Sequence, residues 1–161
     1  YQYNDPDHIC LLRSFLMERD STVGEARARY TSAVIAGTVM MVSDDYDNLA
    51  AKERARQFTG NRRVNGLAAA GVSFCPVESG GDSASCAFTA TVGGRQYIAL
   101  FHWKENKEIV WVDCGRAGTC EGLRYRDLWS GQEFSDQDGK IAWEAVGCDA
   151  VILEEIRTTE C

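Results

Sequence analysis

Between Ser21 and Gly60 the apolar positions fall first at helical and then at strand intervals. Thr22 and Glu25 stand at capping-box spacing, and Ala26, Tyr30, Ala33 and Val34 recur on one helical face while Arg27 and Arg29 point elsewhere. The pattern predicts a helix from about Val23 to Ala36, ended by Gly37. Thr38-Val39-Met40-Met41-Val42 is then an almost unbroken apolar run rich in β-branched residues before Ser43-Asp44-Asp45. Such a run reads as a strand buried on both faces, typical of a parallel sheet. A more polar helix follows from about Asp47 to Phe58 and stops near Gly60-Asn61. Upstream, Tyr1-Gln2-Tyr3-Asn4-Asp5-Pro6-Asp7 opens with alternating aromatics and ends in turn formers, which reads as the tail of a strand running into a loop. Strand, helix, strand, helix is the repeat of an α/β barrel or a doubly wound sheet.

After Gly60 the texture changes. Gly, Ser and Asp cluster from Ser79 to Ser85, and short alternating segments then recur: Ala87 to Val92, Tyr97 to Trp103, Glu108 to Cys114, Leu123 to Leu128, Lys140 to Ala145 and Ala150 to Ile156. Gly93-Gly94, Glu105-Asn106 and Asp138-Gly139 are hairpin-type turn signals between them. This half reads as an antiparallel β-sandwich. The chain thus divides into residues 1–62, a connection over 63–78 and a sandwich over 79–161. The sandwich is expected to fold as a unit of its own, because its strand and turn signals need no partner from the first half.

At 161 residues the chain can bury a substantial core but is too short for a complete (β/α)8 barrel of roughly 250 residues. It opens with Tyr1 and no basic, apolar leader, so it reads as part of a longer protein. A net charge of -7, with no dense Lys or Arg block, excludes nucleic acid as a partner. No apolar run reaches the roughly 18 residues of a membrane span, so no membrane partner is expected. The seven cysteines form no CxxC pair, and no metal site is expected from them. Cys114 with Cys120, and Cys75 with Cys86, are spaced to close small disulfides; scattered buried thiols are the competing reading.

The densest cluster of chemistry-bearing side chains is Asn4-Asp5-Pro6-Asp7-His8. At the carboxyl end of a barrel strand, such carboxylates, a carboxamide and an imidazole can orient sugar hydroxyls, tune a neighbouring acid or ligate a metal; the plainer alternative is a turn in which Asp7 caps the next segment. Asp44-Asp45 follows the next strand and falls at the same mouth, or simply opens a helix. Trp103, Trp111, Trp129 and Trp143 all lie in the second half, either as core or as platforms for sugar rings.

These residues carry a resemblance. Tyr3-Asn4-Asp5-Pro6-Asp7, an Arg- and Ala-containing helix, and Gly37-Thr38-Val39-Met40-Met41-Val42-Ser43-Asp44-Asp45 resemble the closing strands of the α-galactosidase-like glycoside hydrolases of clan D, families 27 and 36. Those enzymes carry Asn-Asp-Pro-Asp at the seventh barrel strand and an apolar strand ending in Ser-(Asn/Asp)-Asp at the eighth. Tyr97-Ile98-Ala99-Leu100-Phe101-His102-Trp103 and Tyr125-Arg126-Asp127-Leu128-Trp129-Ser130-Gly131 are similar to two segments of their sandwich. The chain departs from the pattern at His8, where the common enzymes carry an apolar residue.

The resemblance implies a fold of class α/β plus all-β: the last βαβα segment of a (β/α)8 TIM barrel over residues 1–62, followed by an antiparallel β-sandwich. It implies a retaining glycoside hydrolase acting on α-galactosides or related sugars, in which one aspartate forms a glycosyl-enzyme and a second serves as acid and then base. Both would stand upstream of Tyr1, leaving this chain inactive alone, with no cofactor and no metal. Asn4, Asp5, Asp7, His8, Asp44 and Asp45 would bind substrate or support the site, and the partners would be a carbohydrate and the rest of the barrel. A non-catalytic carbohydrate-binding or accessory sandwich is the alternative.

Overall fold

A computed structural model describes residues 8–13, 19–77 and 84–157. The expectations for Asn4, Asp5 and Asp7 therefore lie outside the described residues. The first described strand, β1, is His8–Ile9, so His8 opens a strand where a loop was expected. Helix α1 follows at Val23–Ala36, the predicted span. Thr22 accepts a hydrogen bond from Glu25 N, and Glu25 returns one from Thr22 N at 2.7 Å, while Gly37 ends the helix at φ 73°.

Strand β2, Met41–Val42, pairs parallel with β1 in the register His8↔Met41 and Ile9↔Val42. The run expected to be buried on both faces is buried on one. Met40 and Val42 pack on the core, whereas Val39 and Met41 are 70% and 47% exposed, because nothing among the described residues covers the second face. Helix α2, Leu49–Thr59, starts where Asn48 accepts from the N–H groups of Ala50 and Ala51, and it buries Ala51, Ala55 and Phe58 along one stripe. Helix α3, Arg62–Ala69, occupies what the sequence reading took as connection; Asn61 caps it, and Val64 and Leu67 face inward.

The rest is antiparallel: β3 (Cys75–Pro76), β4 (Ala87–Val92), β5 (Arg95–His102), β6 (Lys107–Asp113), β7 (Arg124–Asp127), β8 (Glu133–Ser135), β9 (Lys140–Val146) and β10 (Asp149–Ile156). Six strands form a sheet in the order β3-β4-β5-β10-β7-β8, and β6 pairs with β9 in a second. Gly93 and Gly94, both at positive φ, make the two-residue β4–β5 hairpin. Glu105-Asn106 makes no hairpin, since β5 and β6 belong to different sheets and the chain crosses between layers there. Asp138-Gly139 does reverse the chain, with φ of 52° and 72°, yet it too links strands of different sheets.

Alternation along β5 and β10 sorts side chains into two cores. Tyr97, Ala99, Phe101, Ala150 and Ile152 pack with α1, α3 and Phe58. Ile98, Leu100, Val151 and Leu153 pack with Val110, Val112, Ile141 and Ala145 of the β6–β9 sheet. The molecule is therefore layered as helices, large sheet, small sheet. The sandwich is present, but one outer face of its large sheet is covered by the helical half, so the strand and turn signals that looked self-contained share an apolar core with α1. The six described cysteines are free thiols; Cys75, Cys86 and Cys120 are exposed, which meets neither the disulfide pairings nor the buried-thiol reading for those three. Cys161 lies outside the described residues. No helix among the described residues is long and apolar enough to cross a membrane.

Candidate functional site

β1 and β2 run parallel, so the loops leaving their carboxyl ends, 10–13 and 43–48, meet at one end of the pair. Ser43 N donates to Ile9 O at 3.1 Å, and Cys10 Sγ lies 3.4 Å from Ser43 Oγ. Asp44 ties the two loops together. Its carboxylate is buried and accepts from the backbone N–H groups of Leu11 and Leu12, each at 2.7 Å, and of Arg13 at 3.1 Å. Asp44 is thus an internal bracket for the loop after β1. Asp45, one residue on, is exposed and accepts from Asp47 N at 3.0 Å, shaping the turn into α2.

Two arginines finish the bracket. Arg29 donates to Ser21 Oγ at 2.6 Å and to Cys10 O at 3.2 Å, and Arg54 donates to Leu11 O at 3.1 Å and to the carbonyls of Ser21 and Thr22 at 3.3 Å. The sequence reading missed both roles. Arg29 is one of two cations on α1, with Arg27, but spacing alone does not say which carbonyls it reaches. His8 is exposed and lies in direct register with Met41, and beside it a cleft of about 410 Å3 opens, also lined by Ile9, Arg29, Trp103 and Cys148. The described residues of this end thus provide one buried carboxylate engaged by backbone, two exposed carboxylates, Asp45 and Asp47, and an exposed imidazole. A double displacement needs two carboxyls about 5–5.5 Å apart across a sugar, and Asp44 is not free to be either.

The second motif segment is also a bracket. Asp127, buried at the end of β7, accepts from Trp129 N at 3.2 Å, Ser130 N at 2.9 Å, Ser130 Oγ at 2.6 Å and Ile152 N at 3.2 Å. The loop it shapes delivers Trp129 into the helical layer, where its indole donates to Thr31 Oγ1 at 3.0 Å and packs between Tyr30 and Phe58. Asn61 reaches the same loop through Leu128 O at 2.9 Å. Trp143 is partly buried against the second core, while Trp103 and Trp111 are about half exposed.

No protein-family model matches the chain, and no curated protein matches it in sequence. Solved structures do match it in fold. α-Galactosidase I from Mortierella vinacea superimposes with a TM-score of 0.76 at 13% identity, over 97% of this chain and 40% of that one. In fold, this chain is similar to the C-terminal part of α-galactosidases. A family 27 β-L-arabinopyranosidase from Geobacillus stearothermophilus gives 0.75 at 20% identity, over 99% of this chain and 38% of that one. An isomalto-dextranase from Arthrobacter globiformis gives 0.66 at 17% identity, over 86% and 24%. The chain spans about two fifths or less of the length of these enzymes. The α-galactosidase-like fold accounts for the mostly antiparallel sheets with three helices beside them.

Proposed function

We propose that this chain is the C-terminal part of a retaining glycoside hydrolase acting on α-galactosides or related sugars, residues 1–62 closing a (β/α)8 barrel, helix α3 packing against the core beside it, and the sandwich running from its edge strand β3 to the end of β10. The observation that carries the reading is the parallel β1–α1–β2 unit with its polar carboxyl ends, joined to a sandwich whose fold is that of α-galactosidases. The exposed face of this unit, with His8, Val39 and Met41, supports it, since a barrel strand presents one face to the helices and the other to the barrel interior. The nucleophile and the acid/base then belong to earlier strands. Asn4, Asp5, Asp7, His8 and Asp45 border the sugar, and Asp44 holds the loop that carries the mouth.

The test compares the purified chain with its full-length parent on an aryl α-galactoside. The chain alone is expected to show no turnover above background. In the parent, Asp7→Asn is expected to lower kcat more than it raises KM, because losing an orienting charge weakens transition-state stabilisation more than ground-state binding. Turnover by the 161-residue chain, lost on Asp7→Asn, would overturn the division of labour and make Asp7 catalytic.

A further inference from the structure

The edge of β6 that pairs with no strand among the described residues borders a groove of about 610 Å3, lined by the ends of β4 and β5 and containing Trp103, Trp111, His102, Lys104 and Glu108. Its volume lies within the roughly 300–1,000 Å3 of small-molecule sites. Trp103 is held from beneath. One face of its indole stacks on Phe101 at 4.6 Å and 11°, and Nε1 donates to Ser85 O at 3.3 Å, while the residue stays 45% exposed. A fixed indole with one open face is an ordered platform whose negative π-surface attracts the polarised C–H bonds of a pyranose. Trp111, 47% exposed, lines the same groove, with Lys140 Nζ 4.3 Å from its ring.

The polar groups beside it are paired with one another. Glu108 accepts from Lys104 Nζ at 3.0 Å, and the buried His102, at the end of β5, joins Glu108 to the β9–β10 turn, Nε2 at 3.3 Å from Glu108 and Nδ1 at 2.8 Å from Gly147 O. An adjacent carboxylate and ammonium offer an acceptor and donors side by side, which two neighbouring hydroxyls of a sugar satisfy together. Their charges offset one another and Lys140 is engaged over the Trp111 ring, so the groove presents hydrogen-bonding groups and no unengaged charge to demand a charged ligand. We propose that this groove binds a neutral oligosaccharide away from the barrel mouth, one pyranose ring on the open face of Trp103, its hydroxyls on Glu108 and Lys104, and a second unit against Trp111. The proposal does not depend on the catalytic reading.

The experiment follows the indole N–H signals of the 15N-labelled 161-residue chain by NMR while raffinose, or separately maltotriose, is added to about 20 mM, far above where a single stacked ring begins to bind. With at least one of the two sugars, the Trp103 and Trp111 signals are expected to move together and saturably while Trp143 stays still. Trp103→Ala and, separately, Glu108→Gln are expected to weaken that binding at least about tenfold. Glu108→Gln, on an exposed side chain, keeps the test valid should Trp103→Ala disturb the fold. No movement with either sugar overturns the proposal, as does movement unaffected by both substitutions. Movement of Trp103 without Trp111 overturns it too, because the sugar would then lie in the cleft beside His8.

Discussion

At the scale of single residues, two of the acidic positions that carry the sequence resemblance, the buried Asp44 and Asp127, do the same physical job, while the exposed Asp45 does not. Each is a buried carboxylate that gathers N–H groups from a loop, and Asp127 also accepts from Ile152 N of β10, tying its loop to that strand. A buried donor left without an acceptor costs roughly 1–3 kcal/mol, and bonds to a charged acceptor stand at the upper end of the usual range. Asp44→Ala deprives three backbone donors at once and is expected to destabilise the chain by about 2–4 kcal/mol, partly offset by water reaching Arg13 N. Asp44→Asn, which keeps one carbonyl oxygen, should lose less. Urea midpoints at unchanged slope measure both, and a loss below about 0.5 kcal/mol for the alanine variant would show that the loop finds other partners.

At the scale of elements, α1 organises the molecule, and its amino end is where the sequence was most explicit. Arg19 reinforces the capping box by donating to both Glu25 oxygens, at 2.9 and 2.7 Å, and holds the Glu25 carboxyl down to about 2 from a usual 4.5, with the bond from Thr22 N adding to the shift. A carboxylate with a lowered folded-state pKa contributes stability that is complete above its unfolded value and is lost as pH falls through the folded one. The stability of the chain should therefore drop between pH about 4.5 and 2. Glu25→Gln should remove that part of the drop while lowering stability at pH 7. Thermal melts of the two proteins across this range test it, and parallel curves would mean that other carboxylates carry the acid sensitivity. Further along, Arg27 clasps Asp149 with bonds of 2.8 and 3.0 Å, and Gly24 lets the helix backbone approach Cys148 O so closely that a Cβ would collide with it. A glycine in the first turn costs helix propensity by about 1 kcal/mol. Here the cost is offset by the docking of α1 on β10.

At the scale of the whole molecule, β5 and β10 are buried on both faces, one by helices and one by β6 and β9. Removing the helical layer would expose Tyr97, Ala99, Phe101 and Ile152, and truncating one such large side chain alone typically costs about 3–5 kcal/mol. The described chain is accordingly expected to unfold in one cooperative transition. Far-ultraviolet circular dichroism and the fluorescence of Trp129, which sits between the helical layer and the sheet, should give coincident midpoints. Two separated transitions would mean that the helical layer melts alone, as the self-contained signals of the sandwich had suggested.

Local physics made much of this legible in the sequence. The capping box and Gly37 bounded α1, Gly93-Gly94 marked a hairpin, and the alternation of Ala87 to Val92 and Lys140 to Ala145 marked strands, because each signal involves only neighbours within a few residues. Helix α3 was within reach through Asn61 and the spacing of Val64 and Leu67, but eight residues gave too short a period to stand out. Other features depend on partners far along the chain. Glu105-Asn106 has turn chemistry, yet whether it closes a hairpin or crosses between sheets rests on β5 pairing with β10 and β6 with β9. The motif makes Asp44 an expected site residue, whereas its engagement with Leu11, Leu12 and Arg13, about thirty residues upstream, exists only once two strands are side by side. The sequence by itself determined which residues turn, coil and alternate; only the tertiary structure decided which faces are covered and which carboxylates are used up inside, because burial is a property of pairs of elements and no single segment contains it.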